Sequence, residues 1–191
     1  SQSASSIEVG SSPSDNSLIV IIGDVSGKGL TAAMRVAMIL GALRRETSHD
    51  PAQILHALNE TLLTQGQPSS SQISFTTAVC LRIDLSGHFT LANAGHVNPY
   101  QSGIELLTPS ALPLGLIPDQ YFELVTGHLA PGQTLVLLSD GVPEARSPSG
   151  ELYGFDRLTQ LTQLTANEIA QAAQKFGQED DITVLSLSLA D

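Results

Sequence analysis

The chain has 191 residues, 41% hydrophobic and 14% charged, a balance that suits a single globular domain with a sizeable core. Its formal charge of −11, from 19 Asp and Glu against 8 Lys and Arg, argues against a nucleic-acid partner, since phosphate-backbone binding needs a basic face. Every apolar run falls short of the ~20 residues that cross a bilayer, and the lone Cys80 can close no disulfide within the chain, which favours a reducing, cytoplasmic setting.

The opening Ser-Gln-Ser-Ala-Ser-Ser has no initiator Met and no signal pattern. Residues 1–17 are therefore expected to be a poorly defined lead-in to one domain spanning 1–191, itself part of a longer protein. Leu18 to Gly23 is a continuous β-branched run and reads as a strand buried on both faces. The turn Asp24 to Gly29 leads into a helix over Leu30 to Arg45 that is apolar on nearly every side, which predicts an interior helix covered by its own sheet or by a second copy, as in a homodimer. Asp50-Pro51 pairs an N-cap with proline at the first helical position, and Ile54, Leu55, Leu58 and Leu62 mark the inner face of the helix that follows. After a polar loop over Gln65 to Gln72, Phe75 to Asp84 and His88 to Ala94 form a hairpin about Leu85-Ser-Gly87.

Val97 to Tyr100 is expected to pair with Ile104 to Leu107, and one strand near Tyr121 to Thr126 interrupts a proline-rich connection. A strand over Thr134 to Ser139, helices around Phe155 to Leu164 and Asn167 to Lys175, and a last strand from Ile182 complete the chain. Helices grouped apart from hairpin-joined strands indicate an α+β fold with mainly antiparallel sheets flanked by helices.

Three acidic positions sit where apolar strands stop or start: Asp24, Asp140, and the pair Asp180-Asp181. Taken singly, an Asp after a strand is a turn residue. If the first two strands run antiparallel to the third, all the carboxylates meet at one sheet end. Two carboxylates ~4 Å apart repel by roughly 4 kcal/mol at a protein-like effective dielectric, so such a cluster keeps a proton or recruits a cation. Oxygen ligands suit magnesium or manganese better than zinc.

Gly23-Asp-Val-Ser-Gly-Lys-Gly29 is a glycine-rich turn between strand and helix, but Leu30 stands where a Walker loop needs a hydroxyl. The segment offers a terminal carboxylate, glycines that allow close approach to a ligand, and a helix N-terminus for an anion. With Asn93-Ala-Gly-His96, Ser139-Asp-Gly-Val-x-Glu144 and Asp180-Asp-Ile-Thr-Val184 it makes four ordered motifs. Together they resemble the PPM-type metal-dependent serine/threonine phosphatases, and among these the bacterial SpoIIE and RsbU branch.

The resemblance implies an αββα sandwich with two Mn²⁺ or Mg²⁺ ions at one end of the paired sheets. It implies in-line hydrolysis of phosphoserine or phosphothreonine on a protein, such as an anti-sigma-factor antagonist, under an upstream sensor. Carried onto this chain, Asp24 bridges both ions, the Val25 carbonyl binds one, and Asp140 and Asp180 hold the other. Asp181 stands where many relatives have Asn. Lys28 and His96 are candidates for contact with substrate, against a solvated lysine and a turn-fixing histidine; Glu144 is a candidate to orient the ions' waters, against a surface turn carboxylate. Ser26 stands where eukaryotic members carry His, which leaves His96 or a metal-held water to protonate the leaving group.

One departure from the branch lies upstream. Its Gly-Gly-Asp-aromatic motif is absent, and Glu8-Val-Gly10 runs on into Ser-Ser-Pro-Ser. Three accounts stay open: an omitted loop, substitution by Glu8 or Asp15, or an incomplete site. The rival functions are a non-catalytic switch module and a small-phosphoester hydrolase. His49, His56, His88 and His128 show no metal-ligand spacing and read as structural or exposed.

Overall fold

The computed structural model describes residues 4–12, 16–65, 74–161, 164–178 and 180–189. Two antiparallel sheets stack between two layers of helices. The first sheet is built from β1 (Ala4–Ser12), β2 (Ser17–Val25), β3 (Thr76–Asp84), β4 (His88–Ala94) and β7 (Val125–His128), in the order β1-β2-β3-β4-β7. The second takes β5 (Tyr100–Gln101), β6 (Ile104–Glu105), β8 (Thr134–Leu138) and β9 (Val184–Ser188), in the order β6-β5-β8-β9.

Strand alternation sorts the apolar residues into three cores. On β2, Val20 and Ile22 join Val79, Leu81, Leu135 and Leu137 between the sheets. Ile21 and Val25 face the other way, onto α1 (Leu30–Leu43) and α2 (Pro51–Gln65). Val136 and Leu138 of β8 pack on α3 (Phe155–Leu161) and α4 (Ala166–Gly177) through Leu158, Ile169 and Ala173. Each fully buried Leu or Ile contributes about 1.5–3 kcal/mol. The αββα layering expected from the four motifs is what forms.

The helix starts have local causes. Asp50 Oδ1 accepts from the Ala52 and Gln53 amides at 2.8 and 3.3 Å, capping α2 at the Asp-Pro step. Thr165 and Glu168 form a capping box on α4.

Four expectations are corrected. The Ser-rich opening is not shapeless: β1 pairs along the whole of β2, from Ala4 opposite Val25 to Ser12 opposite Ser17. The strand expected near Tyr121 to Thr126 lies later, at Val125–His128, and the pairing expected over Val97 to Leu107 shrinks to two residues a side. Helix α1 is not interior. Its inner face buries Ala32, Arg35 and Ile39, while Leu30 and Met34 are 77% and 58% exposed. The loop expected over Gln65 to Gln72 lies, from residue 66 on, outside the described residues.

Candidate metal centre

Asp24 and the other carboxylates do not share a sheet. Asp24 lies in β2 of the first sheet, while Asp140 follows β8 and Asp180 precedes β9 in the second. The single-sheet convergence is therefore replaced by two sheet ends. Asp24 shares the strand parity of Val20 and Ile22, so it belongs to the inter-sheet side. Its register partner is Thr77, whose hydroxyl is 2.9 Å from His96 Nδ1. The same imidazole lies beside the carbonyl of Leu138, two residues before Asp140.

His96 is 8% exposed, and burial lowers its pKa to about 4, so it is neutral at pH 7. Its Nε2 is buried with no hydrogen-bond partner. The ring is held from its own turn, where the His96 amide donates to Asn93 Oδ1 at 2.8 Å and Asn93 Nδ2 donates to the His96 carbonyl at 3.0 Å. The Asn-Ala-Gly-His motif is thus a closed turn that buries the His96 ring beside Thr77.

The second-sheet carboxylates are sewn together by two residues beside them. Ser139 is fully buried; its Oγ donates to the Asp181 carbonyl at 3.1 Å and accepts from the Thr183 amide at 3.0 Å. Gly141 lies so close to the Asp181 carbonyl oxygen that a methyl group there would overlap it. Burial, and then the charge of Asp180, push the Asp140 carboxyl above its usual range. Glu144 is also raised, by burial and then by Asp140 and Asp180, although Arg146 draws it down. Its amide donates to the Asp140 carbonyl at 2.9 Å, which places it on the turn beside the pair.

Asp181 is exposed, and its amide donates to Asp180 Oδ1 at 2.8 Å. Val25 is buried by its side chain against the helices, leaving only its backbone for ligation. Lys28 is exposed between Gly27 and Gly29, whose φ angles of 102° and 73° are left-handed, at the start of α1. Ser26 is committed to the loop: its Oγ accepts from the Phe75 amide at 2.7 Å and its amide donates to the Phe75 carbonyl at 2.9 Å. Opposite Asp24 in β1 stands Ser5, whereas Glu8 is opposite Ile21; Asp15 lies outside the described residues.

The donor set is oxygen-rich and over-charged, which fits a hard divalent cation. Burial first, and then a neighbouring carboxylate, raise Asp140 and Glu144, and a bound cation would offset both effects. Among the described residues no three Asp, Glu, His or Cys side chains already close on one ion-sized point. Ser139, Asn93 and Gly141 escaped the reading of residue types. The signal for Ser139 was a hydroxyl ending the apolar run Leu135 to Leu138, where an unpartnered polar group would be costly.

Among known proteins, the chain is 30% identical over 168 residues to the phosphoserine phosphatase RsbU of Bacillus subtilis (strain 168), covering 84% of this chain and 48% of RsbU. The chain thus spans about half the length of that curated relative. Its fold is shared with the SiaA-PP2C domain of Pseudomonas aeruginosa, at TM-score 0.74 and 21% identity over 97% of this chain and 80% of that one. It is shared also with RsbX crystallised in complex with magnesium, at TM-score 0.68 and 19% identity over 95% and 85%. The family model described as Stage II sporulation protein E matches residues 14–190, and the chain belongs to the SpoIIE family.

Proposed function

We propose that this chain is a metal-dependent protein phosphatase domain that hydrolyses phosphoserine or phosphothreonine on a bacterial signalling protein. The observation that carries the reading is Asp140, which burial and the charge of Asp180 raise above its usual range, on a turn that Ser139 and Gly141 hold against the Asp181 backbone. Asp24 would face it from the other sheet. Asp24, the Val25 carbonyl, Asp140 and Asp180 would hold two Mn²⁺ or Mg²⁺ ions, with Asp181 outside the direct set. When bound, such ions activate water and neutralise charge on a transferred phosphoryl group. Magnesium accompanies the RsbX fold, and the RsbU relative is a phosphoserine phosphatase, so ions and reaction class point the same way.

The residues of the chain divide the remaining work. Exposed Lys28 and the start of α1, which has no side-chain cap, offer positive potential to the substrate phosphate. Neutral, buried His96 holds its turn against Thr77 and is not the proton donor at pH 7. Glu144 sits where it can order water beside Asp140. Among the described residues no helix is long and apolar enough to cross a membrane, and a cytoplasmic setting with an upstream sensor, a phosphorylated anti-sigma-factor antagonist as substrate, and the 1–191 span as one domain complete the proposal.

Phosphate release from a phosphoprotein, measured with and without Mn²⁺ and with Asp24→Ala, tests it. Metal-dependent turnover lost in the variant is the expected result; metal-independent release, or none with any phosphoprotein, refutes it. A second reading, a non-catalytic module, is favoured by the absent Gly-Gly-Asp motif and by β1 setting Ser5 opposite Asp24. Manganese binding without turnover would select it.

A further inference from the structure

His88 and His128 are 40 positions apart in sequence and meet at the far end of the first sheet. They are register partners at the β4–β7 edge, with ring centroids 4.8 Å apart and planes inclined at 64°. Both line an open groove of about 470 Å³ with Arg82, Asp84, Thr90 and Thr126. Antiparallel pairing puts this groove at the opposite end of β3 from Thr77, the partner of Asp24.

The surroundings fix the tautomer of each ring. Ser86 Oγ lies 2.6 Å from Asp84 Oδ1 and 2.8 Å from His88 Nδ1. An ionised carboxylate only accepts, and Asp84 is held below the usual carboxylate range, first by this hydroxyl. Ser86 must therefore give its proton to Asp84 and accept one from His88 Nδ1. In the neutral ring this puts the proton on Nδ1 and the lone pair on Nε2. His128 Nε2 lies 3.0 Å from the Ser86 carbonyl, which also only accepts, so in the neutral ring the lone pair there is on Nδ1. Two imidazoles, each held at one ring nitrogen by an outer oxygen partner and each with its other ring nitrogen turned away from that partner, are what a nitrogen-ligated metal site requires.

We propose that His88 and His128 form a second metal site, for a nitrogen-preferring divalent ion of the zinc, copper or nickel class, with water completing the coordination. It is distinct in place and donor type from the carboxylates, because imidazole suits these ions and not magnesium. Metal–nitrogen bonds are about 2.0–2.1 Å, and the two ring centroids are 4.8 Å apart. The ion would tie the outer strand β7 to the β3–β4 turn, and a net charge of −11 draws cations to the molecule.

Zinc chloride titrated calorimetrically into the protein, with excess Mg²⁺ present to occupy the carboxylates, reads the site directly. His88→Gln and His128→Gln should each weaken zinc binding at least tenfold, Ser86→Ala by about tenfold, and the exposed control His49→Gln by less than twofold. In the unsubstituted protein, zinc should shift the imidazole NMR signals of His88 and His128 and not that of His49, a readout independent of whether a variant folds. With Cu²⁺, the electron paramagnetic resonance spectrum should carry splitting from two nitrogens. Unchanged zinc affinity in both histidine variants, unmoved signals from the two rings, or a copper spectrum without nitrogen splitting would overturn the proposal.

Discussion

Replacing Gly141 by Ala tests what sets the spacing of Asp140 and Asp180. The added methyl would overlap the Asp181 carbonyl oxygen and stand 3.0 Å from its carbonyl carbon and 3.5 Å from Ile182 Cα. Both neighbours are backbone, so no side chain can swing aside. The strands must open by about 1 Å to restore ordinary contact distances. Overpacking of this kind costs about 1–3 kcal/mol, and a 1 Å misplacement of reacting groups costs about 10²-fold in rate. The opening would also stretch the bond from Ser139 Oγ to the Asp181 carbonyl, now 3.1 Å. Urea melts of metal-free protein give the stability, and phosphate release across a manganese series separates the rate from metal affinity. The expected outcome is a loss of about 2 kcal/mol with activity down about 10²-fold and manganese demand raised. A variant that melts like the parent and turns over within a factor of two would show that the close approach at Gly141 does not position the carboxylates.

Ser139→Ala leaves the Thr183 amide without its hydroxyl acceptor and should cost about 1–3 kcal/mol by thermal or urea melting; a change under 0.5 kcal/mol would refute the clasp. Asp140→Asn should make the metal-free protein more stable by removing charge beside Asp180, and should abolish the stabilisation of about 2.7 kcal/mol that manganese gives at a hundredfold excess over its Kd. For His96, the folded pKa of about 4 lies below the ordinary 6.5, so unfolding takes up a proton between those values. Its stabilisation is therefore full above pH ~6.5 and falls by about 3 kcal/mol as pH drops towards 4. The raised carboxyls of Asp140 and Glu144 act in the opposite sense, losing stabilisation as pH rises, so the difference between parent and His96→Gln melts isolates the histidine. A difference that does not vary with pH would sink that account. Arg35 is 5% exposed, donates from Nε to Thr76 Oγ1 at 3.2 Å, and has an Nη2 with no partner. Arg35→Met should therefore be neutral or stabilising by up to about 2 kcal/mol in urea, and a loss beyond 1 kcal/mol would contradict it.

Much of this architecture was legible because local chemistry and tertiary role coincide. Asp50-Pro51 caps α2 with no help from afar, and Phe75 to Ala94 carries strand alternation on both sides of a glycine turn. Strand β1 was missed because Ile7 and Val9 are too few to mark a period among serines; β2 supplies the edge that makes it a strand. The all-apolar pattern of α1 failed differently. Periodicity reports which residues prefer burial and not whether anything covers them, and here the one charge inside the helix, Arg35, is what went inward. The motif aspartates were found by type and position at strand ends, but their division between two sheets depends on pairings among distant segments. His88 and His128 lie beyond any local pattern, because only the β4–β7 register makes them neighbours.

Among the described residues strand β9 has one hydrogen-bonded neighbour, β8, and lies at the rim of its sheet. Rim strands breathe, and their amides trade protons with water more readily than those of inner strands. On the proposed function the breathing would be coupled to ion capture, since the segment that would ligate through Asp180 runs directly into β9. An ion seated there should slow deuterium uptake from Val184 to Ser188, so that the tail of the chain reports the occupancy of the cleft.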